Sequence, residues 1–238
     1  MSIVFIISAP SGSGKTTLAK ALQESVANLL FSVSYTTRQP RSSEQNGREY
    51  HFVTEPEFMA MVKQQEFLEY ACVHDNYYGT AKRNLQDAER QQKDLLLDID
   101  VQGAAQIKVK IPQAVGIFIL PPSRKVLEDR LRNRRDNYAE KIDSEETIQR
   151  RLRSAAREVE NYSKYDYILV NLDLEQSLQQ LKAIVGSERA KRSGRKFSTE
   201  ERKLVEVADG RRLARVSREV QPIVESFSLT ATPSGTTR

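Results

Sequence analysis

Short apolar runs separated by charged, amphipathic stretches dominate the pattern of this chain. Four runs are nearly continuous rather than alternating, as is typical of parallel strands covered on both faces: Ile3–Ile7, Leu95–Val101, Val115–Leu120 and Tyr167–Val170. Helical stretches separate these runs, at Thr16–Leu29, Thr54–Gln64, Ala81–Gln92, Ser123–Arg134, Ser144–Glu160 and Asp173–Val185. The alternation predicts an α/β fold in which a parallel sheet is flanked by helices.

Two regions depart from this alternation of strands and helices. Residues 32–80 are rich in Tyr, Thr, Ser and Arg and hold β-prone fragments, which predicts an inserted subdomain, bounded at 32–84. Beyond residue 190 the chain turns basic and polar, and Ser198-Thr199-Glu200-Glu201 could cap one more helix before a frayed or disordered end at Ser226–Arg238. The core domain is therefore assigned to residues 1–31, 85–122 and 161–190, and residues 191–238 to a partly helical extension.

The composition indicates a soluble globular protein, because 39% of the 238 residues are hydrophobic and 29% are charged. No apolar run approaches the roughly 18 residues that a bilayer span needs, and the start lacks the basic segment of a signal peptide. A cytoplasmic location is expected. One cysteine, Cys72, excludes an internal disulfide, and two histidines exclude a His-rich metal cluster.

The basic charge is confined to one end of the chain. Residues 187–238 hold 12 Lys and Arg against 7 Asp and Glu, so the whole net charge of +5 lies there. The body of the protein is neutral, so specific nucleic-acid binding is not expected. The extension could instead be a solvated tail, an oligomer contact such as that of a homodimer, or a weak nucleic-acid contact.

A glycine-rich loop lies between the first predicted strand and the first helix. Ser11-Gly12-Ser13-Gly14-Lys15-Thr16 is typical of a phosphate-binding loop, in which backbone N–H groups cradle phosphate oxygens. Lys15 would add a positive charge, Thr16 would offer a hydroxyl to Mg²⁺, and the helix N-terminus faces the anion. The pattern prefers glycine six residues before the lysine, and Ala9 fits there if its φ is negative.

A second segment could surround another anion. Between Ser34 and Val53 lie two arginines three residues apart, Arg38 and Arg41, with a serine before them and Tyr50 after them. Arginine binds phosphate through a planar fork of donors. Taken alone, this segment could equally be a charged, β-rich surface.

Further motifs occur in a fixed order along the chain: Thr37-Arg38-Gln39-Pro40-Arg41, Glu69 with Tyr78-Gly79-Thr80, Asp98-Ile99-Asp100-Val101-Gln102-Gly103, Arg130-Leu131-Arg132-Asn133-Arg134, Ile148–Glu158 and Tyr165-Asp166-Tyr167 leading to Asn171. Together with the glycine-rich loop, these motifs make the sequence resemble guanylate kinase over about residues 2–190. The resemblance implies that the enzyme transfers the γ-phosphoryl group of ATP to GMP. It also implies that residues 32–84 bind GMP and that residues 123–160 form a helical lid.

The resemblance assigns a role to each matching residue. GMP binding is implied for Ser34, Arg38, Arg41, Tyr50, Glu69, Tyr78, Thr80 and Asp98, with Glu69 and Thr80 reading the guanine base. ATP binding is implied for Ser11, Gly12, Ser13, Gly14, Lys15, Thr16, Thr17, Arg130 and Asn171. Catalysis is implied for Lys15, Arg41, Arg134 and Arg151. The implied cofactor is Mg²⁺, and its implied ligands are Thr16 and Asp100.

Residue chemistry is consistent with these roles. A carboxylate accepts from N1–H and N2–H₂ of guanine, and a hydroxyl can donate to O6. Asp98 and Asp100, at i and i+2 of the predicted strand, would share one face at its C-terminal end, where α/β ligands bind. Phosphoryl transfer needs alignment and charge neutralisation, which no histidine or cysteine has to supply.

The lid departs most from the family pattern. Arg135 stands where the family has glycine, and residues 136–144 look lengthened, so Arg135 could take the role assigned to Arg134. Two other functions remain as alternatives, a catalytically dead binding module and a sugar-phosphate kinase of the same fold. The presence of Lys15 and the lid arginines disfavours the first, and Glu69 with Thr80 disfavours the second.

Overall fold

A computed structural model describes residues 2–41, 43–73, 75–133 and 144–228. In chain order the elements are β1 Val4–Ser8, α1 Lys15–Ser25, β2 Leu29–Phe31, β3 Tyr35–Thr36, β4 His51–Phe52, α2 Glu55–Lys63, β5 Phe67–Val73, β6 Asn76–Ala81, α3 Lys82–Arg90, β7 Asp94–Asp98, α4 Val101–Lys110, β8 Val115–Leu120, α5 Arg124–Arg132, α6 Glu145–Val159, β9 Tyr167–Val170, α7 Leu174–Arg192, α8 Thr199–Asp209 and α9 Leu213–Glu225.

The central sheet is parallel and has the strand order β2-β7-β1-β8-β9. Side chains alternate between two buried faces: Ile6 of β1 packs on one side of the sheet, and Phe5 packs on the other. Because both faces are covered by helices, the sequences of these strands are continuous apolar runs. The predicted α/β fold with a parallel sheet is confirmed.

A second, four-stranded sheet has the order β4-β3-β6-β5 and falls within residues 32–84. Its strands are short and mixed in direction, with β3 parallel to β4 and antiparallel to β6. Helix α2 begins at the predicted capping box, where the Thr54 hydroxyl accepts from the Glu57 N–H and the Glu57 carboxylate accepts from the Thr54 N–H. A small aromatic core around Phe58 and Phe67 holds this sheet together.

Helix α4 was not predicted from the sequence. The second apolar run was predicted to extend to Val101, but β7 ends at Asp98, and Asp100 caps a helix by accepting a hydrogen bond from the Gly103 N–H at 2.9 Å. A glycine in the first turn weakens the helical pattern of Val101–Lys110. Helix α1 is shorter than predicted, because Leu29 already belongs to β2.

The extension beyond residue 190 packs against the core instead of being solvated. Helix α8 begins at the predicted Ser198–Glu201 capping box. The Ile168 N–H donates to the Arg211 carbonyl at 2.9 Å, so the chain entering α9 pairs with the exposed edge of β9. The predicted disorder from Ser226 onward is wrong at Phe227, which is 2% exposed, because this ring joins the main apolar core. Residues 229–238 lie outside the described residues.

Replacing Phe227 with alanine is expected to lower the free energy of unfolding by about 3 kcal/mol, because truncating a buried aromatic ring leaves a cavity. Val207→Ala on α8 is the matched control, since Val207 is 46% exposed and its loss should cost less than about 1 kcal/mol. Urea unfolding followed by circular dichroism measures both. Equal, small effects of the two substitutions would contradict the packed extension.

The part of the chain that the structure describes contains no helix long and apolar enough to cross a membrane.

Candidate active site

The glycine-rich loop joins β1 to α1 and bends through two left-handed residues. Gly12 has φ +92° and Gly14 has φ +89°, a region that strains any other residue. Gly14 also leaves room for a neighbour, because a Cβ there would lie 2.5 Å from Nδ2 of Asn171. Ala9 is not among the residues with positive φ, so alanine fits the position where the motif prefers glycine.

Lys15 and Thr16, the first residues of α1, both face Asp98 at the end of β7. The Lys15 ammonium lies 2.6 Å from Asp98 Oδ1, and the Thr16 hydroxyl donates to Oδ2 at 3.3 Å. Burial opposes the charge on Lys15, but the attraction and hydrogen bond of Asp98 outweigh it and raise the pKa of Lys15. Lys15 therefore remains a fixed positive charge at the start of the helix.

Asn171 supports the loop from behind. Its side-chain amide donates to the Ser13 carbonyl at 2.7 Å and accepts from the Ser177 hydroxyl at 3.2 Å. Arg130 of α5 donates to the Asn171 carbonyl at 2.8 Å. Of the predicted ATP-binding residues, Asn171 therefore contacts the loop directly, and Arg130 contacts it through Asn171.

A cluster around Arg38 lies in the second sheet and the segment that follows β3. Its guanidinium lies over the Tyr50 ring at 5.4 Å and donates to both Glu44 carboxylate oxygens at 2.9 Å. Glu44 also accepts from the Arg41 N–H at 2.8 Å. Burial raises the pKa of Glu44, but the hydrogen bonds from Arg38 and Arg41 outweigh it and lower that pKa.

Glu44 orients this cluster, a role that was not predicted from the sequence. The sequence feature that could have indicated this role is an acidic residue three positions after Arg41, because a turn there would bring a carboxylate to the arginines. The Glu44 N–H donates to the Arg41 carbonyl at 2.9 Å and closes such a turn.

Glu69 on β5 faces Thr80 on the neighbouring strand β6. Both side chains are buried, and the Thr80 hydroxyl donates to Glu69 Oε1 at 2.6 Å. Burial raises the pKa of Glu69 to about 7, opposed by the Thr80 hydrogen bond and reinforced by the charge of Asp100. Because the Thr80 proton is committed to Glu69, Thr80 can donate to a guanine O6 only after its hydroxyl rotates.

The predicted arrangement of Asp98 and Asp100 on one face of a strand is wrong. Asp98 is the last residue of β7, whereas Asp100 lies beyond the strand and caps α4. One Asp100 oxygen accepts from the Gly103 N–H at 2.9 Å, and the other accepts from the Gln102 amide at 3.2 Å. Of the two carboxylates, Asp98 alone touches the glycine-rich loop residues Lys15 and Thr16.

Helix α4 and helix α1 bring the loop and the second sheet together. Gln106 of α4 donates to the Tyr70 carbonyl at 2.7 Å and accepts from the Tyr70 N–H at 3.3 Å, which fixes β5 to the helix. Burial and then the charge of Asp98 raise the pKa of Tyr50, which packs against Arg38. Lys20 of α1 reaches Glu49 at 3.5 Å.

The remaining predicted residues differ in how closely they approach this region. Ser34 is buried, and the Tyr78 ring on β6 packs edge-on against Tyr50 at 5.8 Å. Ser11 lies in the loop, and Thr17 is exposed on α1. Arg151 is half-buried on α6, and Arg134 and Arg135 lie outside the described residues.

Comparisons with known proteins identify the family of this chain. The guanylate kinase family model matches residues 1–188. A guanylate kinase of Koribacter versatilis is 54% identical over 224 residues, which are 94% of this chain and 95% of the relative. That of Rickettsia bellii is 48% identical over 191 residues, covering 80% and 97%. The crystal structure of guanylate kinase from Anaplasma phagocytophilum superposes with a TM-score of 0.64 at 32% identity, covering 79% of this chain and 86% of that one. The chain belongs to the guanylate kinase family.

Proposed function

We propose that the chain transfers the γ-phosphoryl group of ATP to GMP, giving ADP and GDP. The observation that carries the proposal is the placement of two unlike sites on neighbouring elements. One is the Lys15–Asp98 pair at the N-terminus of α1, and the other is the buried Glu69–Thr80 pair. The first site suits the phosphates of a nucleoside triphosphate, and the second suits a guanine base.

ATP is assigned to the glycine-rich loop. Backbone N–H groups from Ser11 to Thr17 would cradle the β phosphate, and the Lys15 ammonium would exchange Asp98 for phosphate oxygens. Asn171 holds the loop through the Ser13 carbonyl, and Arg130 holds Asn171, so both act on ATP through the loop.

GMP is assigned to the second sheet. Arg38 and Arg41, oriented by Glu44, would bind its phosphate together with Ser34, Tyr50 and Tyr78. Ionised Glu69 would accept from N1–H and N2–H₂ of guanine, with Thr80 at O6 and Asp98 on the side facing the loop. Adenine presents an N1 lone pair to the carboxylate and leaves it unpaired, which disfavours AMP.

The oxygen ligands at the loop fit Mg²⁺. Within the described residues no cluster of three acidic, His or Cys side chains could hold a metal alone, and Mg²⁺ at nucleotides uses one or two protein oxygens with phosphates and water. The Thr16 hydroxyl and the Asp98 carboxylate would hold it, and the metal would neutralise charge on the ATP phosphates. Asp100 remains a proposed outer contact, because its oxygens cap α4.

The residues act by alignment and charge neutralisation. Lys15 and Arg41 would approach the transferring group from its two sides, and Arg151 would approach from α6. We assign residues 123–160 to a lid that excludes water, residues 32–84 to GMP binding and residues 1–31, 85–122 and 161–190 to the core. A cytoplasmic location is part of the same proposal.

A coupled assay of ADP release tests the proposal directly. The full chain with ATP and Mg²⁺ is expected to turn over GMP, and to turn over AMP, CMP and UMP at least about 10³-fold less efficiently in kcat/KM. Folded protein that binds GMP without turnover would contradict the enzyme and favour a binding module. Equal turnover of AMP would contradict the assigned base site.

A further inference from the structure

Gly103 is the third residue of helix α4, a helical position where alanine would be the more favourable residue. Its backbone does not require glycine, since the positive-φ glycines of the described residues are Gly12, Gly14, Gly47 and Gly194. Its N–H donates to Asp100 at 2.9 Å, a bond that any residue except proline could make. Neither conformation nor capping explains the glycine.

Space explains it. A Cβ on Gly103 would lie 2.4 Å from Oε2 of Glu69 and 2.9 Å from its Cδ, whereas ordinary van der Waals contact begins near 3.4 Å. The carboxylate of Glu69 would therefore have to move by about 1 Å to admit a methyl group. Gly103 and Gln106 are three residues apart and share the face of α4 that meets β5.

Glu69 has little freedom to make that movement. It is 3% exposed, and its other oxygen accepts the Thr80 hydroxyl at 2.6 Å. Gln106 pairs with the backbone of Tyr70, and Lys110 donates to the Leu68 carbonyl, so β5 is fixed on both sides of Glu69. A side chain at position 103 would turn the carboxylate and break its geometry with Thr80.

We propose that Gly103 is a specificity-determining positioning residue, whose missing side chain sets where the Glu69 carboxylate meets the guanine base. The inference rests on the proposed function, in which Glu69 reads guanine. Because Gly103 acts through Glu69 and not on the substrate, a side chain there should weaken the use of GMP and leave the use of ATP unchanged.

Steady-state kinetics of Gly103→Ala test this inference. KM for GMP is expected to rise between about 10-fold and 10²-fold, the cost of misplacing a binding group by about 1 Å. KM for ATP should stay within about twofold, and the preference for GMP over AMP in kcat/KM should fall. The matched control is Val109→Ala on the same helix, 81% exposed, which should change none of these values.

A mutant cycle with Glu69→Ala tests the same inference if Gly103→Ala alone folds poorly. Once Glu69 is truncated, the added methyl group has room, so Gly103→Ala should raise Tm through its helix propensity and leave kcat/KM for GMP unchanged. With Glu69 present, it should lower Tm and kcat/KM. A wild-type protein inactive on GMP overturns the proposed function and this inference with it. An active protein in which the two substitutions are additive overturns this inference alone.

Discussion

Replacing Lys15 with methionine is expected to lower kcat by about 10²- to 10³-fold, the usual effect of removing one preorganised positive donor from a reacting centre. Methionine keeps most of the length and volume of lysine and removes the charge. The Lys15 ammonium lies 2.6 Å from Asp98 at the N-terminus of α1, and Asp98 raises its pKa against the effect of burial. It is therefore fully charged wherever the enzyme works.

Lys20→Met is the control on the same helix. The Lys20 side chain is 52% exposed, and its ion pair with Glu49 spans 3.5 Å, so its loss should change kcat by less than about twofold. Isothermal titration with GMP should show binding to the Lys15→Met protein, since Lys15 acts on the ATP side. A kcat within tenfold of wild type would contradict the role of Lys15.

The parts of the site that the sequence predicted are those in which neighbouring residues determine the geometry. The loop from Ser11 to Thr16 carries its own conformation, because Gly12 and Gly14 supply the two left-handed positions and α1 follows at once. The apolar runs likewise predicted the parallel sheet, because strands buried on both faces lack the alternation of apolar and polar residues. How the elements divide into core, GMP-binding and lid subdomains remains a prediction.

The parts that the sequence missed depend on contacts between distant residues. Nothing local marks Gly103 as the neighbour of Glu69, because 34 positions and two strands separate them. The burial of Phe227 in the main core also comes from tertiary packing, in a segment whose charge predicted a solvated tail. Helix α4 was not predicted because Asp100, which was included in the predicted strand, is the cap of this helix.

Replacing Glu69 with glutamine is expected to lower kcat/KM for GMP by about 10³-fold, since each of two lost charge-assisted hydrogen bonds contributes about 2 kcal/mol. The amide of glutamine can still accept from Thr80, but its NH₂ group would face the donors of guanine. Steady-state kinetics at pH 8 measure the loss. KM for ATP should stay within about twofold, and an unchanged preference for GMP over AMP would contradict the role of Glu69.

The same substitution is expected to stabilise the protein, in a way that depends on pH. Burial raises the pKa of Glu69 from 4.5 in the unfolded chain to about 7 in the folded protein. As pH rises, Glu69 therefore ionises in the unfolded chain before it ionises in the folded protein. The contribution of Glu69 to stability is lost as pH rises from 4.5 through 7. Above pH 7 the loss levels at about 3 kcal/mol. Glutamine carries no charge, so urea unfolding should show Glu69→Gln more stable than wild type at pH 8, with most of that gain gone at pH 5. Glu158, whose pKa burial also raises to about 7, is present in both proteins and cancels from the comparison. A variant that loses activity while gaining stability would separate recognition from folding at this residue, whereas an equal loss of stability at both pH values would assign Glu69 a structural role.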